Sequence, residues 1–533
     1  MMSTPSPTDQ PAPPLDQRTG WFSLVAVTLG ALMPGLSTTI LAVASGDIAR
    51  DLQVGLGELQ WITTAYLLGL TGSLVLAGKL GDKFGRRRIF LLGIVGFGLS
   101  SLLTGLSTPV VLIIALRAIQ GIFGGFLTTN ALSLLRANFP ETRLPAAIGI
   151  FNSVQGLSIA AGPILGGLIV HSLGWRWTMF VNVPIAVLCL ALGVVLLREV
   201  KIPTTARFDY AGTVFLIVAL TAIVYDLITA PESGWGSTST LILFGVALVS
   251  FIAFILVERR AVDPLVPLSL FANRSFTAGS ALSILAFFAL NGGLFLVSLF
   301  WLQIQDVAAT TVGVWLLPLG GAMLISAVLS GRIIDRIGDR TALVTGSLLL
   351  AAGLVSMSFA QIEDGYLQVA AGLALVGLGL GLLVTSTVNV TVGNAAVELA
   401  GSAAGLQQTA SRFGAALGVA VLGGIMAAAT ATAFASNLAA SGLPAEVTGP
   451  LKELGSTTVA GGIAPIPRDS STQVSHLIQA MTDTAFLRGM STTLRIAAGI
   501  CIVGAVVALL VRTKANQRDD AEAFTAAHTL VTD

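Results

Sequence analysis

Long apolar segments constrain the fold of this chain more than any other feature of its sequence. Fourteen segments reach the length of about 20 largely apolar residues that crosses the hydrocarbon core of a bilayer. Charged residues make up 10% of the 533 residues, whereas an ordinary soluble domain carries about 25%. Backbone groups in lipid need partners within their own segment, so each segment is expected to be a helix. The predicted spans are 21–45, 58–78, 89–107, 109–131, 145–170, 178–197, 210–230, 238–257, 277–302, 312–331, 342–360, 366–390, 402–430 and 491–511.

The distribution of Lys and Arg sets the expected orientation. With the N-terminus in the cytoplasm, 20 of the 28 Lys and Arg fall in cytoplasmic loops and tails. This asymmetry follows the positive-inside rule and fits an even number of spans with both termini cytoplasmic. We therefore expect a multi-pass protein of the cell membrane. A signal peptide cleaved after "AVAS" (42–45) is the alternative. Against it, Pro34 and Gly35 interrupt the apolar segment, and Arg18 is the only cation that precedes the segment.

Composition argues against several classes of function. The net charge is +1, with no basic tail or basic-aromatic patch, so nucleic acid is not an expected partner. Cys189 and Cys501 lie in apolar runs and are expected to be core residues rather than a disulfide framework. His171, His476 and His528 are scattered, so we expect no metal site. We expect no cofactor, and no phosphate-binding loop for ATP hydrolysis is present in the sequence.

One loop motif occurs twice. "GKLGDKFGRR" (78–87) and "GRIIDRIGDR" (331–340) share Gly, Asp, Gly and Arg at the same four offsets, and each lies between two apolar spans. Such a repeat indicates two related halves, a common plan for transporters. Asp82 could meet the N-terminal dipole of a neighbouring helix or a nearby arginine. The loops either act as a conformational latch or serve only membrane topology and loop stability. The candidate latch residues are Gly78, Asp82, Gly85, Arg86, Arg87, Gly331, Asp335, Arg336, Gly338 and Arg340.

Several motifs together resemble a known family. The first loop fits the signature G-x-L-x-D-x-x-G-R-[RK]-R of the major facilitator superfamily. "RAIQG" resembles its fourth-helix motif and "GPILGG" its antiporter motif. The chain is similar over nearly its whole length to the fourteen-helix drug:proton antiporters, through "WRWTMFVNVP" (175–184), "FDYAG" (208–212) and "GLQQTASRFGAALGVAVLG" (405–423).

The resemblance implies an all-α membrane protein with the major facilitator fold, made of two six-helix bundles and two inserted helices. The expected divisions are a disordered cytoplasmic N-terminus at 1–20, a first bundle at 21–200, inserted helices at 201–274, a second bundle at 275–512 and a cytoplasmic tail at 513–533. One long outside loop, 431–490, interrupts the second bundle. In it, Val474, Leu477, Ile478 and Met481 have helical spacing, which predicts a short surface helix or, alternatively, a gate or partner site.

Two arginines lie inside predicted spans. A charge at the centre of a span costs about 2.5–3.5 kcal/mol on insertion scales, so it is expected to face the bundle interior. Gln120, Gly121, Gly124 and Gly125 share the helix face of Arg117. Arg412 shares a face with Gln408 and Gly405 in the thirteenth span. Each arginine has either a functional or a packing role. The candidates for proton or substrate handling are Arg117, Gln120, Arg412 and Asp226.

The first span departs from the family it resembles. The family usually carries a membrane-embedded Asp there, and "LSTTILAVASG" (36–46) has Ser37 at that position. A buried carboxylate can titrate near neutral pH because desolvation raises its pKa, and serine cannot. Either another acid carries the proton or the coupling differs. Asp47, Glu58 and Asp226 are the remaining nearby acids.

Two further sets of residues are candidates for transport. The antiporter motif, Gly162, Pro163, Gly166 and Gly167, either bends and seals the fifth helix or simply allows close packing. An apolar cavity with a few polar groups would suit an amphipathic ligand. Its possible lining residues, each of which could instead serve helix packing, are Ser37, Trp61, Tyr66, Asn152, Gln155, Asn291, Phe295, Gln407 and Gln408.

The leading hypothesis is a secondary active exporter of small amphipathic drugs or metabolites, working by proton antiport with alternating access. Its expected partners are the substrate, protons and the lipid bilayer, and a monomer is expected. The second hypothesis is a lipid or metabolite exporter, or a facilitator, with different or no proton coupling, and Ser37 motivates it. The remote alternative is a non-transporting membrane enzyme or sensor, for which the sequence offers no nucleophile and base.

Overall fold

The computed structural model describes residues 17–53, 56–139, 143–197, 199, 209–234, 236–261, 264, 266, 269–307, 309–361, 366–393, 395, 399–441, 448, 451 and 472–511. The N-terminal residues 1–16, most of the predicted loop between 442 and 471, and the tail 513–533 lie outside the described residues. Residues 17–20, which were expected to be disordered, belong to the first helix.

The described chain is almost entirely helical. Two π-helical turns, Phe300–Ile304 and Asn389–Gly393, extend two of the helices. The α-helices are α1 Gln17–Leu52, α2 Leu56–Phe84, α3 Arg86–Leu106, α4 Val110–Asn138, α5 Leu144–Leu173, α6 Arg176–Phe180, α7 Asn182–Leu196, α8 Tyr210–Ser233, α9 Thr238–Glu258, α10 Ser269–Ala272, α11 Arg274–Leu299, α12 Ala309–Trp315, α13 Leu317–Met357, α14 Tyr366–Val388, α15 Ala400–Ala440 and α16 Thr472–Ala508.

Eleven helical stretches in the described residues are long and apolar enough to cross a membrane. One of them, Thr311–Met357, covers two predicted spans. The predicted first and fifth spans are helical within α1 and α5, although neither is among the eleven stretches. The all-α architecture therefore agrees with the sequence analysis, whereas the number of fourteen spans is not confirmed and stays a prediction.

Two large apolar clusters form the interior. One is built mainly from α1–α5 and α7 and contains Tyr66, Phe97 and Phe151. The other is built mainly from α11, α13–α16 and the first π-helical turn, and contains Trp301 and Phe486. Each apolar cluster buries the facing sides of its own helices, as expected for helix bundles. The boundaries of the predicted divisions stay a prediction.

The two repeated loops break their helices in the same way. Gly85 has a φ of 104° and separates α2 from α3. Gly338, at the same offset in the second loop, has a φ of 77° and interrupts α13. Glycine adopts positive φ without the steric cost that a Cβ imposes. The repeated sequence therefore encodes a repeated backbone break.

Helices α8 and α9 form a hairpin beside the first cluster. Asp209 caps α8 and Ser237 caps α9 with side-chain oxygens, which satisfies free amides at both N-termini. The hairpin packs on α2, where Trp61 stacks on Tyr225 with ring centroids 5.4 Å apart. The inserted helices are thus attached to the first half through α2.

Helices α15 and α16 are longer than the sequence analysis predicted. They have 41 and 37 residues, against predicted spans of 402–430 and 491–511. Ile478 and Met481 are buried in a small cluster with Phe434 and Leu438. The expected short surface helix at 474–481 is therefore wrong, because this segment is the packed beginning of α16.

Candidate functional site

The two halves meet at the end of the molecule that carries both repeated loops, which we call the basic end. Helices α2 and α15 cross there through small residues. A Cβ on Gly78 would overlap the carbonyl oxygen of Gly401, and one on Gly405 would lie 2.8 Å from that of Leu74. Small residues at a crossing let helix backbones approach closely. The loop glycine Gly78 therefore has a packing role between the halves.

Helices α5 and α13 make the matching contact between the halves. A Cβ on Gly149 would overlap the carbonyl oxygen of Ala327. A Cβ on Gly331 would lie 3.1 Å from that of Ala146. Gly331 holds the same offset in the second loop as Gly78 in the first. Both repeated loops therefore begin at a close crossing between the halves.

Asp82 lies at the N-terminus of α15. Its Oδ1 accepts from the backbone amide of Gly401 at 3.2 Å, and its Oδ2 accepts from that of Ser402 at 3.1 Å. Arg86 donates to Oδ1 from Nη2 at 3.0 Å and from Nε at 3.1 Å. An anion at a helix N-terminus is stabilised by the helix dipole. The structure thus contains both contacts that the sequence analysis considered for Asp82.

Some of the remaining latch candidates make hydrogen bonds, and others are exposed. Arg87 donates from Nη2 to the carbonyl oxygen of Val194 at 2.5 Å. In the second loop, Asp335 and Arg336 are exposed and Arg340 is half-exposed. Asp339 makes a contact there, accepting from Asn389 at 2.8 Å. The second loop thus differs from the first in its side-chain contacts, and its latch role stays a prediction.

Arg117 is fully buried, with 0% of its surface exposed. It donates from Nη1 to Oε1 of Gln120 at 2.7 Å and from Nε to the carbonyl oxygen of Ile62 at 3.3 Å. Its guanidinium lies 4.2 Å from the ring centroid of Tyr66. Its Nη2 has no hydrogen-bond partner among the described residues. The side chain therefore faces the bundle interior, as its glycine-rich helix face predicted.

A hydrogen-bond network links Arg117 to the first helix. Gln120 donates to Oγ of Ser101 at 3.1 Å. Asn182 donates to the same Oγ at 3.0 Å and to Oγ of Ser37 at 3.2 Å. This network contains no carboxylate. Sequence reasoning missed Ser101 and Asn182 as site residues, although both are polar residues inside apolar spans and Asn182 lies in a family motif.

Tyr66 ties Arg117 to the first helix. Its hydroxyl donates to the carbonyl oxygen of Pro34 at 2.9 Å, and its ring centroid lies 4.2 Å from the guanidinium of Arg117. Arg412, the other arginine predicted within a span, is half-buried on α15.

The other cavity candidates differ in their burial and in their contacts. Trp61 stacks on Tyr225 of α8 and is 44% exposed, and Phe295 is also exposed. Asn291 donates within its own helix to the carbonyl oxygen of Phe287 at 3.0 Å. The buried Gln407 donates to Oγ of Ser283 at 3.4 Å. Gln408 is buried and Gln155 is half-buried, while the side chains of Asn152 and Pro163 lie outside the described residues.

The antiporter motif on α5 packs against α1. Gly162 is buried and Gly167 is half-buried. A Cβ on Gly166 would lie 2.9 Å from Cγ1 of Ile40. The motif therefore brings α5 close to the helix that carries Ser37. Its sealing role stays a prediction.

Asp226 is fully buried on α8, with 0% exposed. Neither carboxyl oxygen has a hydrogen-bond partner among the described residues. It shares a helical stripe with Gly212 and Ser233, both of which lie against α9. An unpaired carboxylate in an apolar interior is costly.

A cavity of about 600 Å³ opens at the end opposite the basic end. Asp51 lies on its wall and accepts from Nε1 of Trp175 at 2.9 Å and from Arg176. These two hydrogen bonds hold the pKa of Asp51 below its usual value, and the one from Trp175 has the larger effect. Asp47 and Arg50 form an ion pair on the same wall. The wall of the cavity therefore combines charged residues with apolar ones such as Val170 and Phe180.

Comparison with known proteins gives consistent matches. A model of the Major Facilitator Superfamily matches residues 27–419. The tetracenomycin C resistance and export protein of Streptomyces glaucescens is 40% identical over 495 residues, covering 92% of this chain and 91% of that protein. The puromycin resistance protein pur8 of Streptomyces alboniger is 35% identical over 427 residues, covering 78% and 84%. The human organic anion transporter MFSD10 (TETRAN) has a similar fold, with a TM-score of 0.60 at 16% identity over 94% of this chain and 100% of that chain.

Proposed function

The chain belongs to the major facilitator superfamily, and on this premise we propose that it exports small amphipathic drugs or metabolites by proton antiport. The predicted all-α major facilitator fold is confirmed apart from its count of fourteen spans, and the family and its relatives point to a multi-pass membrane transporter. The observation that carries the proposal is the similarity, over 92% of the chain, to a protein named for resistance and export. We place the protein in the cell membrane as a monomer, with both termini and the basic end in the cytoplasm.

The contacts between the halves support alternating access. The described crossings α2–α15 and α5–α13 close the basic end. Asp82 on the first half accepts hydrogen bonds from the N-terminus of α15 on the second. In our proposal these contacts are a latch that holds the cytoplasmic side shut and releases when the halves rock. The cavity beside Asp51 then lies on the outer side.

Proton coupling needs a group that can bind and release a proton. We assign this role to Asp226, because it is buried and both oxygens lack a described partner. One charge crossing a potential of 100 mV supplies about 2.3 kcal/mol. Since each tenfold concentration step needs about 1.4 kcal/mol, one proton supports a substrate gradient of about fiftyfold. A single proton is therefore sufficient for useful export.

A second candidate is a lipid or metabolite exporter, or a facilitator, whose coupling to protons is different or absent. The network from Arg117 to Ser37 favours it, because no carboxylate belongs to that network. In this alternative, Arg117 binds an acidic or polar part of the substrate directly through its free Nη2.

Transport by the purified chain in lipid vesicles tests both candidates. A panel of amphipathic compounds is offered with and without an imposed pH difference. We expect accumulation against a gradient only when the pH difference is present. Undiminished uphill transport without the pH difference contradicts proton antiport, and transport of none of the compounds contradicts the proposed substrate class. Counterflow without a pH difference distinguishes a facilitator from an inactive protein.

A further inference from the structure

Two acidic side chains face each other where the α8–α9 hairpin meets α2 at the basic end. Asp209 caps α8, and its Oδ1 accepts from the backbone amide of Gly212 at 2.8 Å. Glu258 is the last residue of α9 and is 3% exposed. Its Oε1 accepts from the backbone amide of Val266 at 2.5 Å. Each carboxyl group therefore has one oxygen held by a backbone amide.

The second oxygen of each group is buried without a described partner. These atoms are Oδ2 of Asp209 and Oε2 of Glu258. Both point to the same place, because a Cβ on Gly212 would overlap Oδ2 and would lie 2.9 Å from Oε2. The two carboxyl groups are within hydrogen-bonding reach of each other. Gly212 leaves the space in which they meet.

Two ionised carboxylates are unfavourable in this arrangement. Burial disfavours the charge on Glu258, and like charges in contact disfavour the doubly ionised pair. An oxygen that carries no proton cannot donate to the other, so both oxygens stay unsatisfied. One bound proton removes both problems, because the protonated group donates a short, charge-assisted hydrogen bond to the ionised one.

A metal cation fits this place less well than a proton does. Hard cations such as Ca²⁺ take six or more oxygen ligands. Among the described residues, no group of three or more His, Cys, Asp or Glu is arranged to hold a metal ion. The ammonium group of Lys79 also acts on Glu258 and repels a second cation. A proton therefore matches the available oxygens best.

Lys79 joins this acidic pair to the first repeated loop. Its Nζ donates to the carbonyl oxygen of Pro264, in the segment that follows α9, at 2.7 Å. The charged groups that act on Glu258 are Asp209 from α8 and Lys79 from α2. With one proton bound, the pair carries a single negative charge that Lys79 balances. Lys79 is three residues from Asp82, so the pair adjoins the latch.

We propose that Asp209 and Glu258 form a proton-binding site in which one proton is shared between their two unpartnered carboxyl oxygens. The proton comes from water, and no bond between heavy atoms changes. The site joins the inserted hairpin to the loop that carries Lys79. It is separate from Asp226 and does not depend on the proposed export of drugs or on proton antiport.

Infrared spectroscopy of the full chain in lipid tests the site at neutral pH. The background variant Asp226→Asn removes the carboxyl group that, among the described residues, has neither oxygen partnered. We expect a band of a protonated carboxyl group that shifts when H₂O is replaced by D₂O. Glu258→Gln should remove this band, and Asp209→Asn should shift or remove it because the acceptor of the proton changes.

Two glycines provide a matched pair of variants that keep both acids. Gly212→Ala places a methyl group between the two oxygens and should alter the band. Gly245→Ala on α9 meets nothing within 4 Å and should leave it unchanged. The proposal is overturned if the band is absent at neutral pH, if Glu258→Gln, Asp209→Asn or Gly212→Ala leaves it unchanged, or if sodium ions remove it at constant pH.

Discussion

Ser402, at the N-terminus of α15, donates to Asp82 on α2 from its backbone amide at 3.1 Å and from its hydroxyl at 3.4 Å. These residues are 320 positions apart and belong to different halves. A carboxylate at the N-terminus of a partly buried helix contributes up to about 2 kcal/mol. In the proposed latch, a contribution of this size is large enough to bias which end is closed and small enough to be lost in each cycle.

Replacing Asp82 by Asn should impair export while the protein still inserts into the membrane. The amide keeps the shape of the side chain but loses its charge, and a loss of about 1–2 kcal/mol changes a population ratio by about fivefold to thirtyfold. Export rates in vesicles measure the effect. The control Asp335→Asn alters the exposed acid at the same offset and should have a smaller effect. Wild-type export by Asp82→Asn would refute the latch.

Gly338→Ala should destabilise the protein by about 1–3 kcal/mol, because its backbone (φ 77°, ψ 159°) lies in a region open essentially to glycine. No atom lies within 4 Å of the added Cβ, so the loss measures backbone strain alone. Gly321→Ala, in a helical part of α13 with equally open space, is the control. Thermal unfolding in detergent compares the two variants. Equal melting temperatures would contradict backbone strain at Gly338.

Arg117→Ala should abolish export although the protein still reaches the membrane. Hydrogen bonds to a charged group contribute about 1.5–3 kcal/mol each, so losing those to Gln120 and Ile62 should lower the rate more than tenfold. Arg117→Lys keeps the charge but not the planar fork, and should recover only part of the activity. Export and surface expression are measured together. Normal export by the alanine variant would show that Arg117 serves only helix packing.

Asp226→Asn should remove the pH dependence of export but preserve counterflow, because an amide cannot carry the proton while substrate binding stays intact. The readout is substrate movement in vesicles with and without an imposed pH difference. Asp483→Asn provides the comparison, since Asp483 is an acid on α16 with a partner, accepting from Gln479 at 2.9 Å. Unchanged proton coupling in Asp226→Asn would assign the coupling to another group.

Asp51→Asn should lower the melting temperature at neutral pH and have no effect in acid. The hydrogen bonds from Trp175 and Arg176 hold the folded-state pKa of Asp51 below its unfolded value. Their contribution is therefore present above the unfolded pKa and is lost as the pH falls through the folded pKa. The control Asp47→Asn removes an exposed ion pair, which contributes little. A difference between wild type and Asp51→Asn that persists in acid would contradict this assignment.

The sequence predicted features that depend on local patterns. The inward face of Arg117 followed from the helical spacing of its glycines, and the repeat placed Gly338 in a loop between two spans, where the structure has a backbone break. The approach of Asp82 to a helix N-terminus was considered, but nothing local could identify that helix as α15. The length of α16 was missed because 474–490 is more polar than the span, whereas packing against α15 keeps it helical.

The network around Ser37 could not be predicted from the sequence, because α1, α3, α4 and α7 must come together before its members meet. Ser101 and Asn182 are polar residues inside apolar spans, but nothing in the local sequence shows that they meet. The pairing of Asp209 with Glu258 is similar, since the two acids are 49 positions apart and share no motif. Tertiary packing, not local pattern, creates both sites.

The length of α15 has a consequence for which part of the protein extends beyond the hydrocarbon layer. Forty-one residues at 1.5 Å each make a rod of about 60 Å, about twice the thickness of the hydrocarbon layer. Since its first turn is fixed at the basic end by Asp82, the far tip extends beyond a hydrocarbon layer of that thickness and packs against α16. With the orientation proposed above, antibody fragments raised against this tip are expected to bind intact cells and so to report the sidedness of the protein without permeabilising them.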